Sequence, residues 1–120
     1  MNLERHSQII AMIEADPKNW NQLYWHCGTS HCYGGWAQIL SGATIDKNTA
    51  FEDARRWLEL SIFEAKEAFN INNSLDDLKD LPNNFTYNEH GYNKYGITFF
   101  GAIKEDLERF DSALERLNSL

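Results

Sequence analysis

Apolar residues recur every three or four positions along most of this sequence, and this helical period constrains the fold more than any other feature. The clearest stripe lies at about residues 98–117. Its members are Phe100, Ile103, Leu107, Phe110, Leu114 and Leu117. A second stripe occupies residues 2–15 and stops before Pro17, whose ring cannot continue a helix. The chain is therefore predicted to be mostly α-helical.

The C-terminal stripe has two possible partners. It covers fewer than three heptads, so docking of the helix on the protein's own core is the favoured prediction. Pairing with a second copy as a coiled coil is the alternative, which leaves a monomer and a homodimer both open.

Start and stop signals divide the middle of the chain. One helix is predicted from the helical spacing of Cys32, Trp36, Ile39 and Leu40. It is predicted to close at Gly42. Residues 49–52 and 61–64 each read as a capping box, in which a hydroxyl and a glutamate satisfy the first amides of a helix. Two short helices joined near Leu60 are therefore predicted in place of one long helix.

These segments together predict a compact single helical domain over residues 1–120. We expect a mostly α bundle of four to five helices, with an aromatic-rich loop or small hairpin before the C-terminal helix. A chain of 120 residues is long enough to bury one core of its own.

The charge balance excludes some classes of partner. The chain has 18 acidic and 11 basic residues, for a net charge of −7, whereas nucleic-acid binding depends on clustered Lys and Arg. Nucleic acid is therefore not expected as a ligand. The expected partner is another protein with a basic surface. No apolar run is long enough for a membrane helix or a signal peptide, and two cysteines make no disulfide framework. A cytoplasmic location without membrane contact is the resulting expectation.

Residues 25–37, called here the Cys/His corner, contain the side chains most often used in metal binding. His26, Cys27, His31 and Cys32 are all suitable donors for zinc or iron. Their spacing is poor, because structural zinc sites normally use two well-separated pairs and adjacent residues point in different directions. No cofactor is therefore expected, and a metal module is the alternative.

The same corner also suggests a nucleophile. If Cys27 precedes a helix N-terminus, the free amides there would stabilise its thiolate, and His31 would be a candidate base. No orienting carboxylate or oxyanion donor is evident from the sequence. A cysteine-based thiol enzyme is the second alternative.

The favoured interpretation of the corner is structural. Gly28 makes a turn, Thr29 or Ser30 caps the following helix, and the two cysteines act as small buried side chains, with a disulfide as a variant in an oxidising compartment. The glycine pair at 34–35 is costly inside a helix, so another helix or a ligand is expected to approach that bare backbone closely.

The corner also resembles a group of small uncharacterised bacterial and phage proteins with a Cys-Gly-Thr-x-x-Cys-x-x-Gly-Trp-Ala signature. The matching residues are Trp25, Cys27, Gly28, Thr29, Cys32, Gly35, Trp36 and Ala37. The resemblance extends over roughly residues 20–70 and implies a helical fold, but it brings no established activity. This chain departs from the group at His31 and Gly34, where small residues and Ala are usual, and at Glu59, where Gly is usual.

Residues 83–95, called here the Tyr/Asn loop, are the predicted contact surface. Tyrosine supplies large amphipathic contact area, and asparagine supplies adaptable hydrogen bonds. The predicted partner-binding residues are Tyr87, Asn88, Tyr92, Asn93 and Tyr95. The alternative is that the rings of Phe85, Tyr92 and Tyr95 fold back to cover the core.

The sequence thus predicts a small acidic, non-enzymatic accessory protein of bacterial or phage origin. It would bind another protein and act as an inhibitor or regulator of that partner. A zinc or iron module and a thiol enzyme, both built on the Cys/His corner, remain the alternatives.

Overall fold

The computed structural model describes the backbone of residues 1–118 and the side chains of residues 1–109. Within them it is mostly α-helical, which confirms the predicted fold class. The helices are α1 (Leu3–Ala15), α2 (Tyr33–Leu40), α3 (Ala50–Leu58), α4 (Ile62–Ala68), α5 (Leu75–Lys79), α6 (Leu81–Asn84) and α7 (Phe99–Asn118). A 3-10 turn at Pro17–Asn19 follows α1, and a two-stranded hairpin, β1 (His26–Cys27) and β2 (Ser30–His31), precedes α2. The described helices outnumber the predicted four to five because α5 and α6 are single turns.

The core forms where α1, α2 and α3 meet. Each contributes large side chains that no solvent reaches, among them Ile9 and Ile13 from α1, Tyr33 from α2 and Leu58 from α3. Helix α2 packs most extensively against α3. Every residue from Tyr33 to Gln38 is buried, so this short helix lies inside the domain with no solvent face along most of its length.

Helix α2 begins at a different cap from the predicted one. Cys32 is the N-cap residue, and its sulfur accepts a hydrogen bond of 3.3 Å from the Gly35 amide. Thr29 and Ser30 were expected in this role, but Ser30 lies in β2 and donates its hydroxyl to the Cys27 carbonyl instead. At the other end Gly42 has φ +82°, which confirms it as the helix stop.

Helices α3 and α4 are separate, as predicted, and one of the two capping boxes is present. Ser61 and Glu64 exchange hydrogen bonds at the start of α4. The box predicted at Thr49 and Glu52 is wrong. The Thr49 side chain makes no cap hydrogen bond, and the Glu52 carboxylate binds Arg55 one turn along.

Glu59 makes the bend between α3 and α4. Its φ of +58° lies in the left-handed region, which glycine adopts with far less strain. The neighbouring amide of Leu60 bonds the Arg55 carbonyl, which closes the end of α3.

Helix α7 docks on α4, and two of the described members of its apolar stripe stay in solvent while Ile103 is half-buried. Ala102 is buried, and the Asp106 carboxylate accepts a 2.8 Å bond from the first amide of α4, at Ile62. Phe100 and Leu107 are 74% and 48% exposed, so the prediction that this stripe faces the core is wrong for them. The contacts of α7 with α4 include the Asp106 bond, which satisfies one open amide at the start of α4, and the ion pair of Glu105 with Lys66. Phe110, Leu114 and Leu117 lie outside the described side chains.

The segment between α6 and α7 is a loop with one isolated antiparallel bridge, between Tyr92 and Thr98. Of the two predicted forms, loop and hairpin, the loop is therefore the observed one. Among the described residues, no helix combines the length and the apolar character that a membrane crossing requires.

Candidate functional site

The glycine pair of the Cys/His corner makes room for Trp25. A Cβ built on Gly34 would lie 2.3 Å from the Trp25 ring, and one on Gly35 would lie 1.9 Å from the Trp25 carbonyl oxygen. The expected close approach to bare helix backbone is therefore real, and the approaching group is the chain's own connector. The Trp25 ring is held from another side by Phe69, in an edge contact with ring centroids 5.5 Å apart.

The hairpin brings the two histidines of the corner face to face. His26 and His31 are directly paired across the strands, and their Nδ1 atoms are 2.8 Å apart. His31 is buried and also packs edge-on against Trp36. Gly28, with φ +62°, makes the turn between the strands, as predicted.

Hydrogen bonding fixes the proton positions of this pair. The Gln38 amide nitrogen donates to the Asp53 carboxylate at 2.9 Å, so its oxygen faces His26 Nε2, which must carry a hydrogen at 2.6 Å. In the neutral state His26 Nδ1 is then the acceptor for the Nδ1–H of His31. The pair can hold one positive charge but not two, because two Nδ1–H groups cannot face each other at this distance.

The pKa of His31 is accordingly displaced. Burial is the largest cause and the neighbouring His26 is the second, and both lower the pKa of His31. Both histidines are therefore placed as members of a closed hydrogen-bond chain that runs from β2 through Gln38 to α3, and this chain ties the hairpin to the helical core.

The two cysteines occupy different environments. Cys32 is buried as the cap of α2, and burial raises the pKa of its thiol, which opposes thiolate formation. Cys27 is exposed, but it lies in β1 and not at a helix N-terminus, where the nucleophile interpretation had put it. The predicted base for that nucleophile, His31, is engaged by His26. Both thiols are free in the structure.

The four proposed metal donors do not converge. The described part of the chain contains no group of three or more His, Cys, Asp or Glu side chains arranged around a common point. Only His26 and His31 come within ligand distance of each other, while the Cys32 sulfur is turned to the α2 amides. Zinc or iron binding at this corner stays a prediction without a described ligand set.

The Tyr/Asn loop is held by its asparagines. The Asn88 side-chain oxygen accepts from the amides of His90 and Tyr92, and the Asn93 oxygen accepts from those of Tyr95 and Ile97. Asparagine oxygens that bond amides two residues on make such turns without a regular element. The two asparagines predicted as adaptable contacts therefore use their oxygens to shape the loop.

The rings of the loop divide between core and surface. Phe85 is 7% exposed and belongs to the core, whereas Tyr92 is 46% and Tyr95 37% exposed. The fold-back alternative thus holds for Phe85. Tyr95 also meets Phe63 of α4 edge-on, with ring centroids 5.6 Å apart, which anchors one end of the loop.

Two further exposed rings adjoin the loop at the start of α7. Phe99 is 57% exposed and contacts Tyr87 edge-on at 5.9 Å, and it also touches Phe100 at 6.3 Å. We call Tyr87, Tyr92, Tyr95, Phe99 and Phe100 the aromatic surface. The sequence interpretation missed both phenylalanines, because helical spacing assigned Phe100 to a buried stripe and no pattern singled out Phe99.

A shallow cavity of about 270 Å3 opens in the loop, between Tyr87, Tyr92 and Lys94. The buried amide nitrogen of Asn93, which also lines it, meets no acceptor of standard geometry among the described residues. Burial and the charge of Glu64 raise the pKa of Tyr87, and the Asn93 amide offsets part of this effect.

Comparison of the chain with protein-family models, with curated proteins and with solved structures finds no match. The resemblance of the Cys/His corner to a group of small bacterial and phage proteins therefore stays a prediction.

Proposed function

We propose that the protein is a non-enzymatic, acidic accessory protein that binds another protein through the aromatic surface and thereby inhibits or regulates it. The observation that carries the proposal is the contact of Phe99 with both Tyr87 and Phe100, beside the exposed Tyr92 and Tyr95. Phe100 is 74% and Phe99 57% exposed. Large rings that adjoin one another outside the core are typical of protein contact sites, because each buries much area at little rotamer cost.

The support beneath these rings favours binding. The loop is shaped by the side chains of Asn88 and Asn93, and its end is packed against Phe63. A partner would therefore order few additional groups on association, which reduces the entropic cost of the complex.

The charge of the chain indicates the kind of partner. A net charge of −7 raises the rate of encounter with a basic surface and lowers it with an acidic one. We infer a partner with a basic surface around the point where the rings dock, and association that weakens as salt is raised.

The test begins with a photo-crosslinking amino acid at position 92 or 100, and in parallel at position 24. Tyr24 is the matched control because it is 58% exposed and lies on the connector before the Cys/His corner. A protein captured from 92 and 100 but not from 24 is then purified, and its affinity is measured.

The variants Tyr87→Ala, Tyr92→Ala and Phe100→Ala should each weaken that complex by about tenfold or more, as hot-spot residues do. Tyr24→Ala should leave it within about twofold. Equal loss from Tyr24→Ala, or no loss from the other three, would refute the aromatic surface as the binding site. Unfolding of the Tyr92→Ala variant, measured by circular dichroism, would show that the Tyr92 ring packs on the core and is needed for stability.

A further inference from the structure

A second recess in the molecule lies on the connector side, beside Trp25. Its volume is about 260 Å3, just below the roughly 300–1,000 Å3 of pockets for drug-sized ligands. The connector at residues 22–26 forms one side, and Phe69 and Ile71 at the end of α4 form the other. We call it the Trp25 pocket. Its size suits a molecule with one ring or one branched aliphatic chain.

Most of the side chains that line the pocket are apolar. Phe69 and Cys32 are buried lining residues, whereas Leu23, Tyr24 and Ile71 are 59%, 58% and 56% exposed. Three large apolar side chains that stay more than half exposed around one recess form an apolar patch, and such a patch marks a binding site more often than chance exposure does.

The walls are fixed before any ligand arrives. Trp25 is seated on Gly34 and Gly35 and held by Phe69. Gln22, which also lines the pocket, is buried, donates to the Asn70 carbonyl and accepts from the Tyr33 amide. A preformed pocket of this kind loses little entropy on binding.

Lys47 gives the pocket its polarity. Among the described residues that line it, Lys47 is the only Lys, Arg, Asp or Glu, and no described carboxylate forms an ion pair with it. Lys66, Lys79 and Lys104 have carboxylate partners, whereas Lys18 and Lys94, like Lys47, have no described carboxylate at ion-pair distance, and neither of them lines this pocket. In a protein of net charge −7, an unpaired ammonium beside an apolar recess is a local reversal of charge.

We propose that the Trp25 pocket binds a small free carboxylate with an apolar body, such as an aryl-substituted or branched-chain acid. The apolar body would lie against Trp25 and Phe69, and the carboxylate would face the Lys47 ammonium at the mouth. This site goes beyond the proposed function, since it takes a small molecule and lies apart in sequence from the aromatic surface.

The test uses three ligands of one shape and different charge: 3-phenylpropionate, 3-phenylpropionamide and 3-phenylpropylamine. Binding to the full chain is followed at millimolar ligand by amide and indole nuclear magnetic resonance shifts. We expect the anion to shift the Trp25 indole and the Ile71 amide and to bind most tightly, with the amide weaker and the amine weakest.

Two variants test the assigned contacts. Lys47→Met keeps the apolar stem of the side chain. It should weaken binding of the anion by about two- to fivefold, as loss of an exposed ion pair would, and should leave binding of the neutral amide unchanged. Lys18→Met is the matched control, because it removes the same charge from an exposed lysine that does not line the pocket. Ile71→Glu puts a like charge at the mouth and should weaken the anion by about tenfold, whereas Leu3→Glu on α1 should not.

Several results would overturn the proposal. They are the absence of Trp25 shifts with the anion, equal or tighter binding of the amine, and an equal effect of Lys18→Met and Lys47→Met. Shifts confined to the aromatic surface would also refute it. Because neither lysine belongs to that surface, these outcomes are independent of the protein-binding test.

Discussion

Reactive residue types alone would favour the Cys/His corner over the Tyr/Asn loop as a functional site, but the exposed side chains favour the loop. The corner contains both cysteines and a pair of histidines, yet its polar groups satisfy one another: His26 bonds His31 and Gln38, and Cys32 caps α2. The loop contains no cysteine, yet it presents exposed rings at Tyr92 and Tyr95 beside the exposed Phe100 of α7. The presence of reactive residue types is therefore a poor guide to a functional site when their side chains are already engaged in hydrogen bonds within the protein.

The largest expected effect is in the corner. Gly35→Ala would force a Cβ to 1.9 Å from the Trp25 carbonyl, a backbone atom that cannot move aside, so we expect a loss of about 3 kcal/mol in the free energy of unfolding. Gly91→Ala in the loop is the control. That Cβ meets nothing within 4 Å, and the φ of +83° should cost only about 1 kcal/mol. Urea denaturation measures both, and equal losses would contradict the proposed role of the glycine pair.

The next effect concerns the centre of the corner's hydrogen-bond chain. Gln38 is fully buried and bonds His26, Asp53 and the Asp46 carbonyl. Gln38→Leu keeps the size but leaves buried groups unpaired, so we expect a loss of about 2–3 kcal/mol. Gln8→Leu, on the exposed face of α1, should stay within about 0.5 kcal/mol in the same unfolding assay. If Gln38→Leu causes little loss, the hydrogen-bond chain contributes little to the free energy of unfolding.

Stability should also fall as the pH falls through the titration range of histidine. Burial lowers the pKa of His6 and of His31 in the folded protein, so the unfolded chain takes up protons first. The contribution of these residues is complete above the unfolded pKa of about 6.5 and is lost progressively below it.

Urea midpoints over the range of about pH 5 to pH 7.5 measure this dependence. His31→Asn should flatten the curve, because burial lowers the pKa of His31 in the folded protein. A midpoint that rises on acidification through this range would contradict the buried neutral pair.

The smallest expected effect is at the aromatic surface. Phe100→Ala should change the free energy of unfolding by no more than about 0.5 kcal/mol, because the ring is 74% exposed. Phe85→Ala, at the buried start of the same region, should cost about 3–5 kcal/mol. Thermal and urea unfolding measure the contrast. A large loss from Phe100→Ala would mean that this ring is part of the core.

Local signals that depend on a few neighbouring residues were readable from the sequence. The Ser61 capping box, the Gly42 stop and the turn at Gly28 were all predicted and are present. Their hydrogen bonds or φ angles are set within a few residues, so distant contacts have little power to change them. The box predicted at Thr49 failed where a distant group intervened, since Gln38 donates to the Thr49 hydroxyl.

Assignments that depend on orientation were less predictable. The stripe of α7 fits a buried helix face, but Phe100 and Leu107 lie in solvent while Asp106 bonds the first amide of α4. The Trp25 pocket had no sequence signal at all, since Lys47 and Ile71 join the connector only through folding. The spacing of apolar residues in a sequence identifies the apolar face of a helix. The elements that pack against the helix decide whether that face points to the core or to solvent.

The sequence by itself determined the helical class, some of the helix ends, such as those at Gly42 and Ser61, and the need for bare backbone at Gly34 and Gly35, because these follow from spacing, capping and steric size. Tertiary structure decided which chemistry remained available. It joined His26, His31 and Gln38 into a closed chain and left the rings of Phe99 and Phe100 in solvent. Hydrogen bonds and packing between segments that are distant in sequence decide which side chains remain free to bind a partner. No local sequence pattern encodes those long-range contacts.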